Sequence, residues 1–517
     1  METTWLGLAP AILLAVLLLL GPGVLVLRAA GFDARTAVLA AAPISQGLLV
    51  AAGLAVGLAG WSWTLPVGLG ALAIATGAGV LLGRVVRRRS GVAAGEALSS
   101  GGWLRLALVL AACLAVVWIT AATAIPSPAT IPQMPDVVFH LGATEWMVRH
   151  GSASVLDVTR YAGTDALSYP GGLHPLLATV AGWTGLLPIV AAHAVLLATM
   201  GVIWPMGMML LARVALGPAP AVIATAGVTS VLFTSFPYRF LACGPLWANL
   251  FSFALFPAVA AIALCAVAPR PLLTAQLPVT RGPAQVYAVL GLVVLAVCQP
   301  NSVASGLVLA AVLLWWAVPL WRARATRPWL RRLLTRPVLL LALIGLVLAS
   351  RPLIPPVMFG TNAHVLVPPM QAVGDLVTLV DGTRGEAVLL FGLVLLGAVR
   401  LARHRRSRWI VAFLGAASVL FVACYGFMSP AVRTVTWLWW NDEVRLRAMT
   451  VPPAVLAATA GLAWLGSRFA RWVGSSSLPR SRATVVLTLI VVVAMRGGIP
   501  GHGDAIETTY TQSAPSW

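Results

Sequence analysis

The residues best suited to chemistry lie in two short segments of the chain, PDVVFHLG and WNDEVRLRAM. In the first segment, Asp136 precedes a helical run and His140 follows four residues later, so the two side chains lie near one face of a helix. A carboxylate and an imidazole in this arrangement can transfer protons or hold a divalent ion. In the second segment, Asn441, Asp442 and Arg445 follow a group of tryptophans, and these polar groups suit a ligand with hydroxyl and phosphate groups.

The composition predicts that these residues are positioned by an integral membrane protein. Of the 517 residues, 60% are hydrophobic and 9% are charged, and the mean hydropathy is +0.94. Soluble proteins carry about 25% charged residues, so this composition excludes an ordinary soluble enzyme, a disordered chain and a nucleic-acid binder. A helix needs about 20 apolar residues to cross a bilayer core. The apolar runs predict 14 spans, at residues 5–27, 37–59, 64–83, 104–124, 187–212, 221–236, 248–268, 285–300, 303–321, 337–351, 386–402, 409–428, 451–467 and 483–497.

The charges predict the orientation of these spans. Alternation from an external N-terminus places 25 of the 34 arginines in cytoplasmic loops, in agreement with the positive-inside rule. It also places 12 of the 14 acids outside, although acids contribute little to orientation. We therefore expect a plasma-membrane protein with both termini outside and a working site on the extracytoplasmic face. The net charge of +20 follows from the arginine loops and requires no nucleic-acid partner.

The spans divide the chain into three predicted regions. Residues 1–103 form an N-terminal extension of three spans, residues 104–497 form the membrane core, and residues 498–517 form a short external tail. The longest outer loop covers residues 125–186.

Within this loop, prolines are expected to keep residues 126–135 extended. Asp136 is predicted as the N-cap of a helix that ends at Gly151. A turn at YPGG then leads into an apolar stretch from His174 to Trp183, which is too short to span and is expected to lie along the outer interface.

An acid soon after an early span, a short helix and the element YPGGLHP before a second interfacial helix resemble the GT-C superfamily of membrane glycosyltransferases. More narrowly, PDVVFHLG, YPGGLHP and WNDEVRLRAM are similar to an uncharacterised family of large actinobacterial membrane proteins. The resemblance implies an all-α polytopic bundle of about 14 transmembrane helices with interfacial helices in the first long outer loop. The chain departs from the GT-C pattern in two ways: three spans precede the one that leads into the acidic loop, and Asp136 with His140 replaces a pair of adjacent acids.

The resemblance also implies a function. A cell-envelope enzyme of this type moves a sugar, here expected to be arabinofuranose or mannose, from a polyprenyl-phosphate donor to an extracytoplasmic glycan, lipid or protein acceptor by inverting displacement. Asp136 is the expected base, and His140 is expected to orient it or to bind a divalent cation such as Mg or Mn. The residues expected to bind the sugar and acceptor are Tyr169, His174, Trp439, Trp440, Asn441 and Asp442. The residues expected to bind the donor phosphate are Arg445, Arg351 and Arg239.

Other interpretations of the same residues remain open. Asp136 can serve only as a helix cap, His174 can serve only in packing, and the tryptophans can belong to an interfacial aromatic belt. One alternative function is a transporter or flippase for a lipid-linked envelope precursor, which requires a continuous polar pathway across the bilayer. A non-catalytic scaffold is a further alternative, and it requires no deep outer pocket.

Overall fold

The structure is a computed structural model that describes residues 4–91, 93, 95–161, 163, 169–242, 246–275, 279–350, 367–378, 385–427, 429–473 and 479–511. Within these ranges the chain is helical and contains no strand, as the composition predicts. Numbered in chain order, the α-helices are α1 (Ala9–Ala29), α2 (Ala34–Leu39), α3 (Ala41–Leu58), α4 (Leu65–Arg89), α5 (Ser100–Ala124), α6 (Pro135–Arg149), α7 (Val155–Tyr161), α8 (His174–Thr184), α9 (Pro188–Ala198), α10 (Trp204–Ala215), α11 (Pro220–Ser230) and α12 (Arg239–Ala242). They continue with α13 (Trp247–Val267), α14 (Arg281–Cys298), α15 (Asn301–Arg324), α16 (Pro328–Leu333), α17 (Arg336–Ser350), α18 (Pro369–Thr378), α19 (Gly385–Ala402), α20 (Arg408–Gly426), α21 (Pro430–Thr436), α22 (Glu443–Trp472), α23 (Arg480–Ala494) and α24 (Ile499–Thr511).

Ten helices among the described residues are long and apolar enough to cross a bilayer. Two further bent pairs qualify if each pair counts as one span: α11 with Thr234–Ala242, bent by 52°, and α23 with Arg496–Glu507, bent by 58°. Arg336–Gly345 and Val388–Ala402 are shorter apolar helices. The protein is therefore an all-α polytopic membrane protein, and each of the predicted segments contains a helix. The count of 14 spans stays a prediction.

The loops collect at two ends of the bundle, and one end carries most of the arginines. Arg213 on α10 reaches across this end, where its Nη1 lies 3.3 Å from Asp33 Oδ1. Trp409 Nε1 donates a hydrogen bond to Leu272 O (3.1 Å), which joins two further loops at the same end. We call this the arginine-rich end; it comprises the described residues of 28–36, 84–105, 213–217, 268–281, 322–336, 400–408 and 468–482.

The opposite end carries the long outer segments predicted from the sequence. Here Gly172 N donates to Val297 O (3.0 Å), and Gln133 N donates to Thr509 O (3.1 Å). These bonds join segments that are far apart in the chain. We call this the acidic end; it comprises the described residues of 125–186, 239–247, 369–378, 429–443 and 496–511.

The N-terminal extension packs against the core. Helix α1 contacts α9, and α3 contacts α8 and α14. Gln46 on α3 is fully buried, and its Nε2 donates to Gly172 O (2.5 Å). The predicted extension, residues 1–103, therefore shares one hydrophobic core with residues 104–497.

Two predicted elements differ from the structure. The segment 498–517 was expected to be a tail, but α24 packs against α5 and α12 and buries Ile506 and Tyr510, which lie four residues apart on one helix face. Helix α8 is short, as predicted, but it does not lie along a surface. Its residues from His174 to Ala181 are all buried because the helix is apolar on every side.

The close packing of α19 against α22 gives a test of this fold. A Cβ at Gly397 would lie 1.7 Å from Ala457 O on α22, whereas a Cβ at Gly392 on the same helix would meet no atom within 4 Å. We expect Gly397→Ala to lower the free energy of unfolding by about 1–3 kcal/mol or more, because the two backbones must separate. Gly392→Ala is the matched control and should leave the thermal midpoint in detergent unchanged or slightly raised. Equal midpoints for the two variants would contradict this packing.

Candidate functional site

Helix α6 places Asp136 at the acidic end. Pro135 occupies the first helical position after Met134, which is in an extended conformation, and Asp136 is the second residue of the helix. The prediction of Asp136 as the N-cap was therefore wrong. A proline at the first position lacks the N–H that would need a partner and has a helical φ, so it sets the start of the helix. The Asp136 carboxylate is consequently not used as a cap.

The surroundings of Asp136 make its carboxylate a stronger base. The side chain is exposed at the surface, but neighbouring protein partly desolvates the carboxylate and raises its pKa. The guanidinium of Arg445 opposes this rise in pKa, and the carboxylate of Asp442 adds to it. Residues separated by about three hundred positions in the chain thus act on the same carboxylate.

Two histidines form a buried pair beside this site. His140 Nδ1 lies 3.1 Å from His174 Nε2, and His174 Nδ1 lies 3.3 Å from Gly171 O. Because a carbonyl oxygen can only accept, His174 Nδ1 donates to it, and His174 Nε2 accepts a hydrogen bond from His140. Burial lowers the pKa of His174 to about 4. Burial and the proximity of His174 also hold the pKa of His140 well below its usual value, so the pair is neutral near pH 7.

This pairing changes the predicted role of His140. It was expected to orient Asp136 or to bind a metal, but its described partners are His174 and the indole ring of Trp247, whose centroid lies 5.8 Å away. Within the described ranges, no group of three or more His, Cys, Asp or Glu side chains is arranged to hold a metal ion. Binding of Mg or Mn therefore stays a prediction.

Tyr169 connects the histidine pair to the charged groups. Its ring centroid lies 4.6 Å from that of Phe139 on α6 and 6.0 Å from that of His174. Burial and the charge of Asp136 raise the pKa of its hydroxyl, and Arg445 opposes that rise. Tyr169 is therefore a neutral hydrogen-bonding group at the boundary between the aromatic rings and the charges.

The start of α22 positions Arg445. Asp442 is the N-cap residue of this helix, and its Oδ1 accepts from Val444 N (2.8 Å). Its Oδ2 lies 3.3 Å from Arg445 Nε, and the Arg445 guanidinium lies 5.1 Å from the ring centroid of Trp440. Arg445 is only 8% exposed, yet its Nη1 has no hydrogen-bond acceptor among the described residues. A guanidinium N–H is thus available to an anion that enters the site.

The turn before α22 has an unusual backbone. Trp440 and Asn441 have positive φ values of 60° and 52°, a conformation that non-glycine residues seldom adopt. Thr436 Oγ1 donates to Asn441 Oδ1 (2.7 Å), which secures the turn. Such strain is found most often at functional sites, where the surrounding structure maintains it.

The structure does not bring all of the predicted residues together. Trp439 is buried, and its Nε1 donates to Ser305 Oγ on α15 (3.2 Å), so its ring serves in packing and not in ligand stacking. Arg239 lies on α12, where it interacts electrostatically with Tyr425 in a neighbouring group of charges. Arg351 lies outside the described residues.

Apart from Arg239, the residues of this neighbouring group of charges were not predicted as site residues. Arg447, one helical turn from Glu443, donates from Nη2 to Asp375 O on α18 (2.7 Å). Asp375 and Glu443 both interact electrostatically with Tyr425, as do Arg239 and Arg447. The sequence did contain a signal for part of this group, because Arg239 and Arg447 are charges within a few residues of the ends of predicted spans.

The fold and the site together define a polytopic all-α membrane protein with a group of interacting charged side chains at its acidic end. A family model described as "Family of unknown function (DUF6541)" matches residues 16–517, so the chain belongs to this family. No curated protein and no solved structure matches the chain.

The charges around Asp136 lead to a prediction about its titration. Arg445→Gln removes the nearby cation and should raise the pKa of Asp136, whereas Asp442→Asn removes a like charge and should lower it. Asparagine caps helices as well as aspartate does, so Asp442→Asn should keep the start of α22. The pKa can be measured by NMR titration of protein with 13C-labelled aspartate carboxyls, using Asp136→Asn for assignment. Arg149→Gln, which removes an exposed cation on the same helix, should leave the pKa unchanged. Shifts of the same sign for Arg445→Gln and Asp442→Asn would refute the arrangement.

Proposed function

We propose that this protein is a glycosyltransferase of the GT-C type that transfers a sugar from a polyprenyl-phosphate donor to an acceptor of the cell envelope, at the acidic end and outside the membrane. One observation carries the proposal: Asp136, Tyr169 and Arg445 interact electrostatically although they come from three distant segments of the chain. A base, a hydroxyl group and a cation are thereby present in one site. The resemblance of the sequence to GT-C enzymes supplies the choice of reaction.

Asp136 fits the role of the base. In this reaction its carboxylate takes the proton of an acceptor hydroxyl while that oxygen attacks the anomeric carbon of the donor sugar. A general base of this kind contributes about 10²–10⁴-fold to the rate when its pKa is near the operating pH. The desolvation that raises the pKa of Asp136 favours this function, and its exposure allows an acceptor to reach it.

Arg445 fits the role of stabilising the leaving group. As the new glycosidic bond forms, the bond between the anomeric carbon and the phosphate oxygen breaks, and polyprenyl phosphate leaves with the electron pair. The free Nη1 of Arg445 can donate to a phosphate oxygen while Nε remains next to Asp442. A cation held in a desolvated pocket stabilises the developing charge more strongly than one in water.

The surface beside Asp136 suits the lipid moiety of the donor. Val138, two residues further along α6, is 67% exposed, and Ile131 in the preceding segment is 46% exposed. Apolar side chains exposed at the level of the membrane surface can contact an isoprenoid chain that reaches into the bilayer. Val138 and Asp136 lie close in the chain but on different faces of α6, because residues two apart on a helix do not face each other.

A transporter or flippase of a lipid-linked precursor is the second candidate, and the bend between α11 and Thr234–Ala242 favours it. Broken helices near the middle of the membrane often bind transported substrates. Here, however, the polar groups near the bend bond to each other: Thr234 Oγ1 lies 2.9 Å from His502 Nδ1, and Tyr238 stacks on His502 with ring centroids 3.8 Å apart. These contacts support a structural role for the bend.

A transfer assay with the purified protein tests the proposal. Radiolabelled polyprenyl-phosphate sugars are incubated with envelope acceptors and the purified protein in nanodiscs. We expect Asp136→Asn to lower the transfer rate by about 10²–10⁴-fold without loss of expression, because it removes the base. Glu145→Gln on the same helix removes an exposed carboxylate and is the matched control, with a rate near wild type.

The competing function predicts a different result. A flippase would move a fluorescent polyprenyl-phosphate lipid across proteoliposomes and form no glycosidic product. A fully active Asp136→Asn variant would remove Asp136 as the base, and flipping without any transfer would overturn the enzyme proposal.

A further inference from the structure

A cavity lies at the arginine-rich end, opposite the end that carries Asp136 and Arg445. It has a volume of about 710 Å3 and is enclosed by α2, α5, α10, α11 and α23. Arg35, Arg105 and Arg482 line it, and none of its described lining residues is acidic. The cavity therefore gathers positive charge from three segments of the chain.

Arg35 is placed among other positive charges in this cavity. Burial, and then repulsion from Arg213 and Arg105, lower the pKa of Arg35, which means that its charged form is disfavoured there. Asp33 opposes this effect, but its carboxylate is already engaged with Arg213 at 3.3 Å. An anion in the cavity would relieve the repulsion.

Three helix N-termini also face the cavity. Gly102, Ala221 and Ser481 belong to the first turns of α5, α11 and α23, and all three residues line the cavity. The first N–H groups of a helix have no partner inside the helix and carry partial positive charge. The N-cap residues of α11 and α23, Ala219 and Pro479, provide no side-chain cap. Backbone donors thus add to the arginines as ligands for an anion.

The other wall of the cavity is apolar and faces the bilayer. One helical turn beyond the arginines, the lining residues are Leu108 on α5 and Val485 and Val486 on α23, which are 60%, 39% and 41% exposed. Charged residues thus occupy the start of each helix, and exposed aliphatic residues follow. This order matches the order of headgroup and acyl chain in a phospholipid.

We propose that this cavity binds one anionic glycerophospholipid of the membrane leaflet at the arginine-rich end. Its phosphate lies among Arg35, Arg105 and Arg482, and its acyl chains lie along α5 and α23. Basic pockets between helices on the cytoplasmic side are the usual location of such lipids. A soluble phosphate compound could contact the arginines but would leave the apolar wall without a partner.

Native mass spectrometry of the full chain in detergent tests this proposal. The protein is titrated with phosphatidylglycerol or with phosphatidylcholine, and the fraction that retains one lipid is measured. We expect retention of phosphatidylglycerol and not of phosphatidylcholine. The variant carrying Arg35→Gln, Arg105→Gln and Arg482→Gln should bind phosphatidylglycerol more weakly by a factor of about ten or more.

The controls separate charge, shape and ligand source. Arg84→Gln, Arg88→Gln and Arg89→Gln together remove the same charge from exposed positions on α4 and should leave binding unchanged. Ala224→Trp fills the cavity and keeps every arginine, so it should abolish retention even if the triple arginine variant fails to fold. Unchanged retention in Ala224→Trp, or equal loss in the α4 control, overturns the proposal. Displacement of the lipid by millimolar glycerol phosphate would identify a soluble phosphate site in place of a lipid site.

Discussion

A polar group inside a bilayer has no water to bond, so it has to find its partner within the protein. Helical backbone bonds and local side-chain bonds, such as Thr199 Oγ1 to Val195 O, meet most of this need, and several other buried groups bond to segments that are distant in sequence. Gln46 on the second span donates to Gly172 in the outer turn, and Trp63 Nε1 donates to Thr179 Oγ1 on α8 (3.1 Å). His193 Nδ1 lies 2.8 Å from Pro128 O. These bonds hold the segments of the acidic end in place, and the positions of the site residues depend on them.

The same constraint explains why Asp442 lies beside Arg445 at the acidic end. Two ionised groups taken out of water each lose several kcal/mol of hydration, and only close contact between opposite charges offsets this loss. A buried arginine therefore needs a carboxylate beside it. Asp442 meets this need for Arg445 and also caps α22, which makes one side chain responsible for both the charge and the helix start. Since one acceptor cannot satisfy five N–H donors, some of the guanidinium N–H groups remain available to a ligand. Arg445 is thus paired with Asp442, but its N–H groups are incompletely hydrogen-bonded.

The sequence predicted the class of fold because hydropathy reports directly on burial in a membrane, and most of the long helices begin and end within a few residues of the predicted bounds. The i, i+4 pair of Glu145 and Arg149 depends only on local spacing and is therefore readable from the sequence. The partners of His140 and Trp439 could not be predicted, because they are set by the packing of α6 on α8 and of the turn before α22 on α15. Hydropathy likewise could not show that α22 begins at Glu443, well before the predicted span 451–467, since its first turns are charged. Spacing within one helix is readable from sequence, whereas contacts between helices are not.

The cavity at the arginine-rich end and the site at the acidic end are connected by helices that pack against one another. Helix α5 begins beside the lipid-facing cavity and ends just before the extended segment that leads to Asp136, and its 25 residues correspond to a length of about 37 Å. A lipid held at its first turn is therefore too distant to contact a substrate at the acidic end. The lipid would affect the site around Arg445 only by fixing the positions of α5, α11 and α23. Helix α11 packs against both α5 and α23, and α11 and α23 both pack against α22. Because α22 also carries Arg445, direct packing links the positions of α5, α11 and α23 to the geometry of the site around Arg445.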